Sequence, residues 1–226
     1  MPVGTLYVVA TPIGNLKDIT ARALETFRVV ELILCEDTRQ TKKLLNHFAI
    51  TTSTQSYHQH SSEAIKKKIF SFLQAGKAIA LVTDAGTPGI SDPGNELIEM
   101  VVKRVPEIAI IPIPGPSAVI AALSVCGFPT SSFLFLGFPP HKKGRQKFFA
   151  ELSKTFYTTV FYESCHRFSR CLSELALVLL PNQKICICRE LTKSFENVYR
   201  GTIEEIRQLN IPEKGEFVIV VSPTFV

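Results

Sequence analysis

The stretch Lys77-Ala-Ile-Ala-Leu-Val-Thr-Asp-Ala-Gly-Thr-Pro-Gly-Ile-Ser-Asp-Pro-Gly94 begins as an apolar strand, Lys77 to Thr83, and runs directly into a loop of glycine, proline and carboxylate residues. Pro93 to Lys103 then carries apolar residues at helical spacing. Strand, loop and helix in that order are the repeating unit of a parallel α/β sheet. The pattern extends to both sides. Upstream, Thr5 to Ala10 reads as a strand, Leu16 to Val30 as an amphipathic helix, Glu31 to Cys35 as a strand and Thr38 to Phe48 as a helix. Ser62 to Ala75 reads as a helix with Ile65, Ile69, Phe72 and Leu73 along one side, and Ile108 to Ile113 follows as another strand.

The second half is less regular. Ser117 to Cys126 is a short uncharged helix, Phe133 to Gly137 a strand, Arg145 to Leu152 a helix and Thr158 to Tyr162 a strand. His166 to Leu180 reads as a helix closed by Pro181, and Ile203 to Leu209 as a short one. Lys184 to Glu190, Phe195 to Arg200 and Glu216 to Val221 are strands close enough in sequence to form hairpins in a mixed sheet. Two α/β domains are therefore expected, 1–115 with a parallel sheet and 116–226 with a mixed one. The boundary falls in the Pro114-Gly-Pro-Ser117 loop.

That loop lies within an uncharged run from Ile108 to Pro140. A membrane-spanning helix needs about 20 predominantly apolar residues. Here Pro112, Pro114, Pro116, Pro129, Pro139 and Pro140 break the run too often, so it is expected to be a buried strand, a loop, a core helix and another buried strand. With 226 residues, 46% hydrophobic and 20% charged, the composition excludes a disordered tail, a collagen-like repeat and a small disulfide scaffold. The 25 basic and 20 acidic residues give +5, a balance that permits an anionic partner without demanding one. No basic segment and apolar core follow Met1, so no signal peptide and a cytoplasmic location are expected. The six cysteines form no C-x-x-C pair; reduced core thiols and no metal site are expected.

Four loops follow the strands of the first half: Thr11 to Asn15, Glu36 to Arg39, Asp84 to Gly94 and Pro112 to Ser117. In a parallel sheet they emerge at the carboxyl edge, where such sheets bind ligands. No phosphate-cradling G-x-x-x-x-G-K-[ST] or G-x-G-x-x-G is present, which favours a cofactor held without a phosphate nest. Glu36-Asp37-Thr38-Arg39 reads either as a helix cap with a surface ion pair or as a carboxylate able to take a proton at the edge of a site. Asp92-Pro93 reads as a cap followed by a first-turn proline. His58 and His60 stand at i, i+2. His141-Lys-Lys-Gly-Arg145 concentrates positive charge in a glycine-containing loop, suited either to phosphate contact or to solubility. Polar clusters at Glu163, His166 and Arg167, and at Arg189 to Lys193, end two later strands.

Taken in order, several segments resemble the tetrapyrrole (corrin/porphyrin) methylases. They are Gly4-Thr-Leu-Tyr-Val-Val-Ala-Thr-Pro-Ile-Gly-Asn-Leu16, Cys35-Glu-Asp-Thr-Arg39, Tyr57-His-Gln-His60, Val82 to Gly94, Pro112 to Ala118, Phe135-Leu-Gly-Phe138, Tyr162-Glu-Ser-Cys-His-Arg167, Arg189-Glu-Leu-Thr-Lys193 and Gly215-Glu-Phe217. Cys165 departs from the proline usual in relatives. The resemblance implies S-adenosylmethionine in a cleft between two α/β domains, and a homodimer. By position, Pro12, Asp84, Gly86, Gly89, Ser117, Ala118, Tyr162, Leu191 and Pro223 would hold the cofactor. Within the family the segments are most similar to enzymes that methylate the ribose 2'-hydroxyl of a cytidine in small-subunit (16S) ribosomal RNA. Asp37 or Glu36 is then expected to be the base, with Arg39 holding the carboxylate or a phosphate; Asp84 as base, or transfer without one, are the alternatives. His58, His60, Lys142, Lys143, Arg145, Arg167 and Lys193 are expected to contact RNA. Two alternatives share the fold: methylation of a corrin-like macrocycle, and RNA binding without catalysis.

Overall fold

The structure, a computed structural model, describes residues 4–58 and 61–224. It divides into two compact units at Ser117 and Ala118, two residues beyond the boundary expected from sequence.

In the first unit the strands are β1 (Thr5–Val9), β2 (Leu32–Cys35), β3 (Thr54–Ser56), β4 (Ala78–Leu81) and β5 (Ala109–Ile113). They pair in the order β3-β2-β4-β1-β5, all parallel. The helices are α1 (Ala21–Val29), α2 (Thr38–His47), α3 (Glu63–Gln74) and α4 (Asn95–Arg104). Alternation along the strands sorts the core into two layers. Leu32 and Leu34 pack with Leu6, Ile79 and Leu81 beneath α3 and α4, where Ile69, Leu73, Leu97 and Val101 are buried. Ile33 and Cys35 face the other way, with Val9, Ala80 and Val82, against Phe27 of α1 and Leu44 and Leu45 of α2. The sheet is thus covered on both faces, which explains why its strands read as apolar runs.

In the second unit α5 (Ala118–Cys126), β6 (Phe133–Phe135), α6 (Arg145–Leu152), β7 (Thr158–Ser164), α7 (Phe168–Val178), β8 (Lys184–Arg189), β9 (Asn197–Thr202), α8 (Ile203–Gln208) and β10 (Glu216–Val221) follow in turn. The sheet order is β6-β7-β10-β8-β9, with β6 and β7 parallel and the other pairs antiparallel. Phe161, Ile185, Ile187, Phe217 and Ile219 face α6, α7 and α8, while Val160, Cys186, Cys188, Val218 and Val220 face α5.

Local chemistry corrects several sequence expectations. Leu16 to Val30 is not one helix: Asn15 caps a single 3-10 turn, Leu16–Asp18, and Thr20 then caps α1 by accepting from the Ala23 N–H. The polar edge strand β3 carries no apolar signal and is missing from the strands expected; it pairs Thr54 to Ser56 with Ile33 to Cys35. A 3-10 turn, Cys165–Arg167, precedes α7, so that helix begins two residues later than expected. The uncharged run is not uniformly buried. In the strand β5 it exposes Ala109 and Pro112, in α5 it leaves Ile120 55% exposed, and in β6 Phe133 is 41% exposed. Among the described residues, no helix is long and apolar enough to cross a membrane.

Candidate functional site

In the first unit the loops beyond β1 and β4 are clipped together by reciprocal backbone bonds. The Thr11 N–H donates to the Gly86 carbonyl (2.9 Å) and the Gly86 N–H to the Thr11 carbonyl (3.1 Å). The Thr11 hydroxyl donates to the Thr83 carbonyl at 3.1 Å, and the Thr87 hydroxyl to the Pro116 carbonyl at 3.3 Å. The Asp37 N–H donates to Asp84 Oδ1 at 3.2 Å, bringing in the loop beyond β2. Pro12, Asp84, Gly86, Gly89 and Ser117 thus all lie on loops at the carboxyl edge of this sheet. Gly89 is required there: φ is +82°, and a Cβ would stand 2.4 Å from Oδ1 of Asn95, whose Nδ2 donates to the Gly89 carbonyl.

The carboxylates of this edge are in different electrostatic states. Asp37 caps α2 by accepting from the Arg39 N–H at 2.8 Å, and the Arg39 guanidinium forks onto both of its oxygens, Nη2 at 2.6 Å. These bonds hold the Asp37 carboxyl down at about 2. A carboxylate so tightly satisfied is a weak proton acceptor. Asp37, one of the two carboxylates expected as base, is in this structure the cap of α2 and the partner of Arg39. Glu36, the preceding residue, is pushed up instead, first by partial burial and then by the negative charges of Asp84 and Asp37, against the opposing effect of His58.

The expectation that Asp92 caps a helix is corrected too. Gly94, with φ +140°, occupies the cap position of α4, and Ser91 is held at φ +60°. The chain turned in this way leaves Asp92 half-buried beside Thr83, Glu36 and Asp84, and burial pushes its carboxyl up to about 6. Nothing in the sequence separates Asp92 from an ordinary Asp-Pro helix start. The signal lies in the crowding of glycines around it, which only the folded loop converts into position.

Because Asp92 is harder to ionise in the folded chain, it costs no stability when protonated, below about pH 4. The cost grows as pH rises through the raised value and is complete above it. A shift from 3.8 to about 6 corresponds to roughly 3 kcal/mol, which solvent screening of a half-open group reduces to about 1–2 kcal/mol. Asp92→Asn is therefore expected to raise stability by that amount at pH 8 and to leave it unchanged near pH 4, as read by urea melts at the two values. Equal effects at both would show that Asp92 is not strained.

His58 is exposed, its N–H donating to the Ser61 hydroxyl at 2.9 Å. His60 lies outside the described residues. Among the described residues, no group of three His, Cys, Asp or Glu side chains could hold a metal ion.

In the second unit Ala118, Tyr162 and Leu191 all pack on the α5 face of the sheet. The Tyr162 ring meets Phe135 and Phe138, each with centroids 5.2 Å apart. Pro223 follows β10. The expected RNA cations separate into two kinds. Lys142 and Lys143 are exposed. Arg145 is not part of that surface: it is 1% exposed, its Nη2 donating to Glu163 at 2.8 Å and its Nε to Glu174 at 2.7 Å. Arg167 bonds Glu163, and Lys193 lies 2.9 Å from Glu190 and 3.0 Å from Glu216. These three cations are committed to carboxylates of their own chain, so the exposed basic patch is smaller than the sequence suggests.

The family model described as Tetrapyrrole (Corrin/Porphyrin) Methylases matches residues 5–207. A protein of Halalkalibacterium halodurans named ribosomal RNA small subunit methyltransferase I is 50% identical over 223 residues, covering 96% of this chain and 75% of that protein. A Synechocystis protein of the same name is 46% identical over 223 residues, covering 97% and 79%. Among solved structures, uroporphyrin-III-C-methyltransferase from Thermus thermophilus superposes with a TM-score of 0.63, covering 97% of this chain and 94% of that one, at 19% identity. At that identity the likeness speaks to the fold alone.

Proposed function

Since the chain belongs to the tetrapyrrole (corrin/porphyrin) methylase family, we propose that it is an S-adenosylmethionine-dependent methyltransferase acting on the ribose 2'-hydroxyl of a cytidine in small-subunit ribosomal RNA. The observation that carries RNA over a macrocycle is the 50% identity, along nearly the whole chain, to a relative named for ribosomal RNA. S-adenosylmethionine, when bound, supplies an electrophilic methyl group. Its fit to this chain rests on the clipped, glycine-bearing loops of the first unit, which offer backbone groups and the exposed Asp84 carboxylate without a phosphate nest. Pro12, Asp84, Gly86, Gly89 and Ser117 are the residues proposed to hold it there, and Ala118, Tyr162, Leu191 and Pro223 those of the second unit.

A ribose hydroxyl is a poor nucleophile at neutral pH, so a positioned acceptor for its proton accelerates transfer. Glu36 is the proposed acceptor, because its raised carboxyl is better matched to that task than Asp37, held low by Arg39. Arg39, with an exposed guanidinium, neutralises Asp37 and is placed to meet a phosphate. Lys142 and Lys143 are the proposed phosphate contacts of the second unit, and a homodimer is the proposed assembly. The test offers small-subunit ribosomal RNA and a corrin-like macrocycle separately to the purified chain with S-adenosylmethionine, followed by mass spectrometry. A new 2'-O-methylcytidine in the RNA is expected. Methylation of the macrocycle alone, or of neither, would overturn the reading.

A further inference from the structure

The basic turn of the second unit is tied down from below. Glu163, whose side chain is fully buried near the end of β7, receives Arg145 Nη2 on Oε2 at 2.8 Å. Its Oε1 receives Arg167 Nε at 3.0 Å and the Ser164 N–H at 2.8 Å. Each arginine then reaches onward to a backbone carbonyl: Arg145 Nη1 to Pro140 at 3.3 Å, and Arg167 Nη1 to Pro139 at 2.9 Å. Those carbonyls are the last before His141-Lys142-Lys143. On the far side of the turn, Gly144 at φ +88° admits the chain to α6, and the Arg145 N–H closes back on the Lys142 carbonyl at 3.3 Å. Arg145 is further fixed by Glu174 and lies over the Phe149 ring at 5.1 Å.

We propose that the Glu163–Arg145–Arg167 cluster is a positioning device that fixes the Lys142–Lys143 turn in the shape that meets RNA phosphates. The proposal rests on the RNA reading above for the ligand, and on the second unit alone for the mechanism. Glu163 and the two arginines act through the backbone of Pro139 and Pro140 and need not touch RNA themselves. A buried carboxylate with two guanidiniums would be an expensive way to stabilise a surface loop. Holding two adjacent carbonyls at fixed positions is what a pair of planar, multiply donating forks does well. Lysine tips on a fixed base lose less freedom on meeting a phosphate than lysines on a loose loop.

Arg167→Lys provides the test, because it keeps the charge but gives up the fork that joins Glu163, Ser164 and Pro139. In RNA-free protein, tryptic cleavage after Lys142 and Lys143, followed by mass spectrometry, is expected to accelerate about tenfold. The KM for RNA is expected to rise while kcat and S-adenosylmethionine affinity stay close to those of the parent chain. Glu163→Gln, which keeps the shape of the acceptor, is a second variant expected to open the turn in the same way. Unchanged cleavage in folded Arg167→Lys and Glu163→Gln proteins would overturn the anchor. Lys142→Ala/Lys143→Ala separates the two ideas. It is expected to flatten the salt dependence of RNA binding by about two charges. If that slope is unaltered while Arg167→Lys still loosens the turn, the RNA reading of the loop fails and the anchor stands.

Discussion

Glu36→Gln is expected to slow methyl transfer to RNA by about 10²–10⁴-fold, with cofactor affinity unchanged within about twofold. The substitution keeps the length and hydrogen-bonding shape of the side chain and removes only its capacity to take a proton. Partial burial and two neighbouring carboxylates raise the Glu36 carboxyl above its ordinary value, so the parent enzyme should lose activity on the acid side as that group becomes protonated. The variant should lack that acid limb. Asp37→Asn, one residue away, provides the contrast: the side chain can still cap α2, and its carboxyl, held low by Arg39, is the poorer match to the task, so a smaller effect is expected. Transfer rates for the two variants across a pH series decide the matter. Turnover by Glu36→Gln at the parent rate would remove Glu36 from the chemistry, and collapse in Asp37→Asn alone would return the role to Asp37.

Arg145→Ala should destabilise the protein by about 3–5 kcal/mol, because it leaves a buried carboxylate short of its partner. The Glu163 side chain is 0% exposed and that of Arg145 1% exposed, so water does not replace the lost guanidinium. Arg167 and the Ser164 N–H continue to satisfy Oε1, but Oε2 loses the donor at 2.8 Å, and Glu174 loses one of its two arginines. Urea unfolding at neutral pH measures the effect, and Lys142→Ala, at an exposed neighbour, should change stability by less than about 0.5 kcal/mol. A soluble, equally stable Arg145→Ala protein that merely binds RNA less tightly would show that Arg145 belongs to the surface patch after all.

Most of the α/β framework is legible because a sheet covered on both faces writes itself as apolar strands separated by helical periods. The antiparallel pair β8 and β9 is equally readable, because too few residues separate the two strands for a helical crossover. The short strand β3 is not, since Thr54-Gln55-Ser56 borrows its order from the neighbouring β2 rather than from any apolar pattern of its own. The edge loops announce themselves by glycine and proline, and the parallel order of their strands brings Glu36 and Asp84 to one edge of the sheet. Roles within that group are harder to read. Asp37 and Glu36 are adjacent carboxylates in sequence, and only the Arg39 fork tells them apart. Asp92 resembles a cap because Asp-Pro before a helix usually is one. Arg145 resembles a surface cation because it follows two lysines and a glycine; its partners, Glu163 and Glu174, lie far along the chain. Ion pairs between distant residues leave no mark in local sequence.

The strand β5 has a consequence for handling the protein in bulk. It closes one side of the first sheet, carries no charge to repel a neighbour, and exposes part of its length. The Ile113 carbonyl turns inward to the Ala10 N–H, so the groups of Pro112, one residue before, turn toward the open side. Proline has no N–H to offer there. An incoming strand would find a gap in the ladder where it most needed a donor, a form of protection natural sheets use against edge-to-edge growth. An uncharged border of this kind thus carries, in one imino acid, a break against strand addition that needs no charge in this part of the sheet.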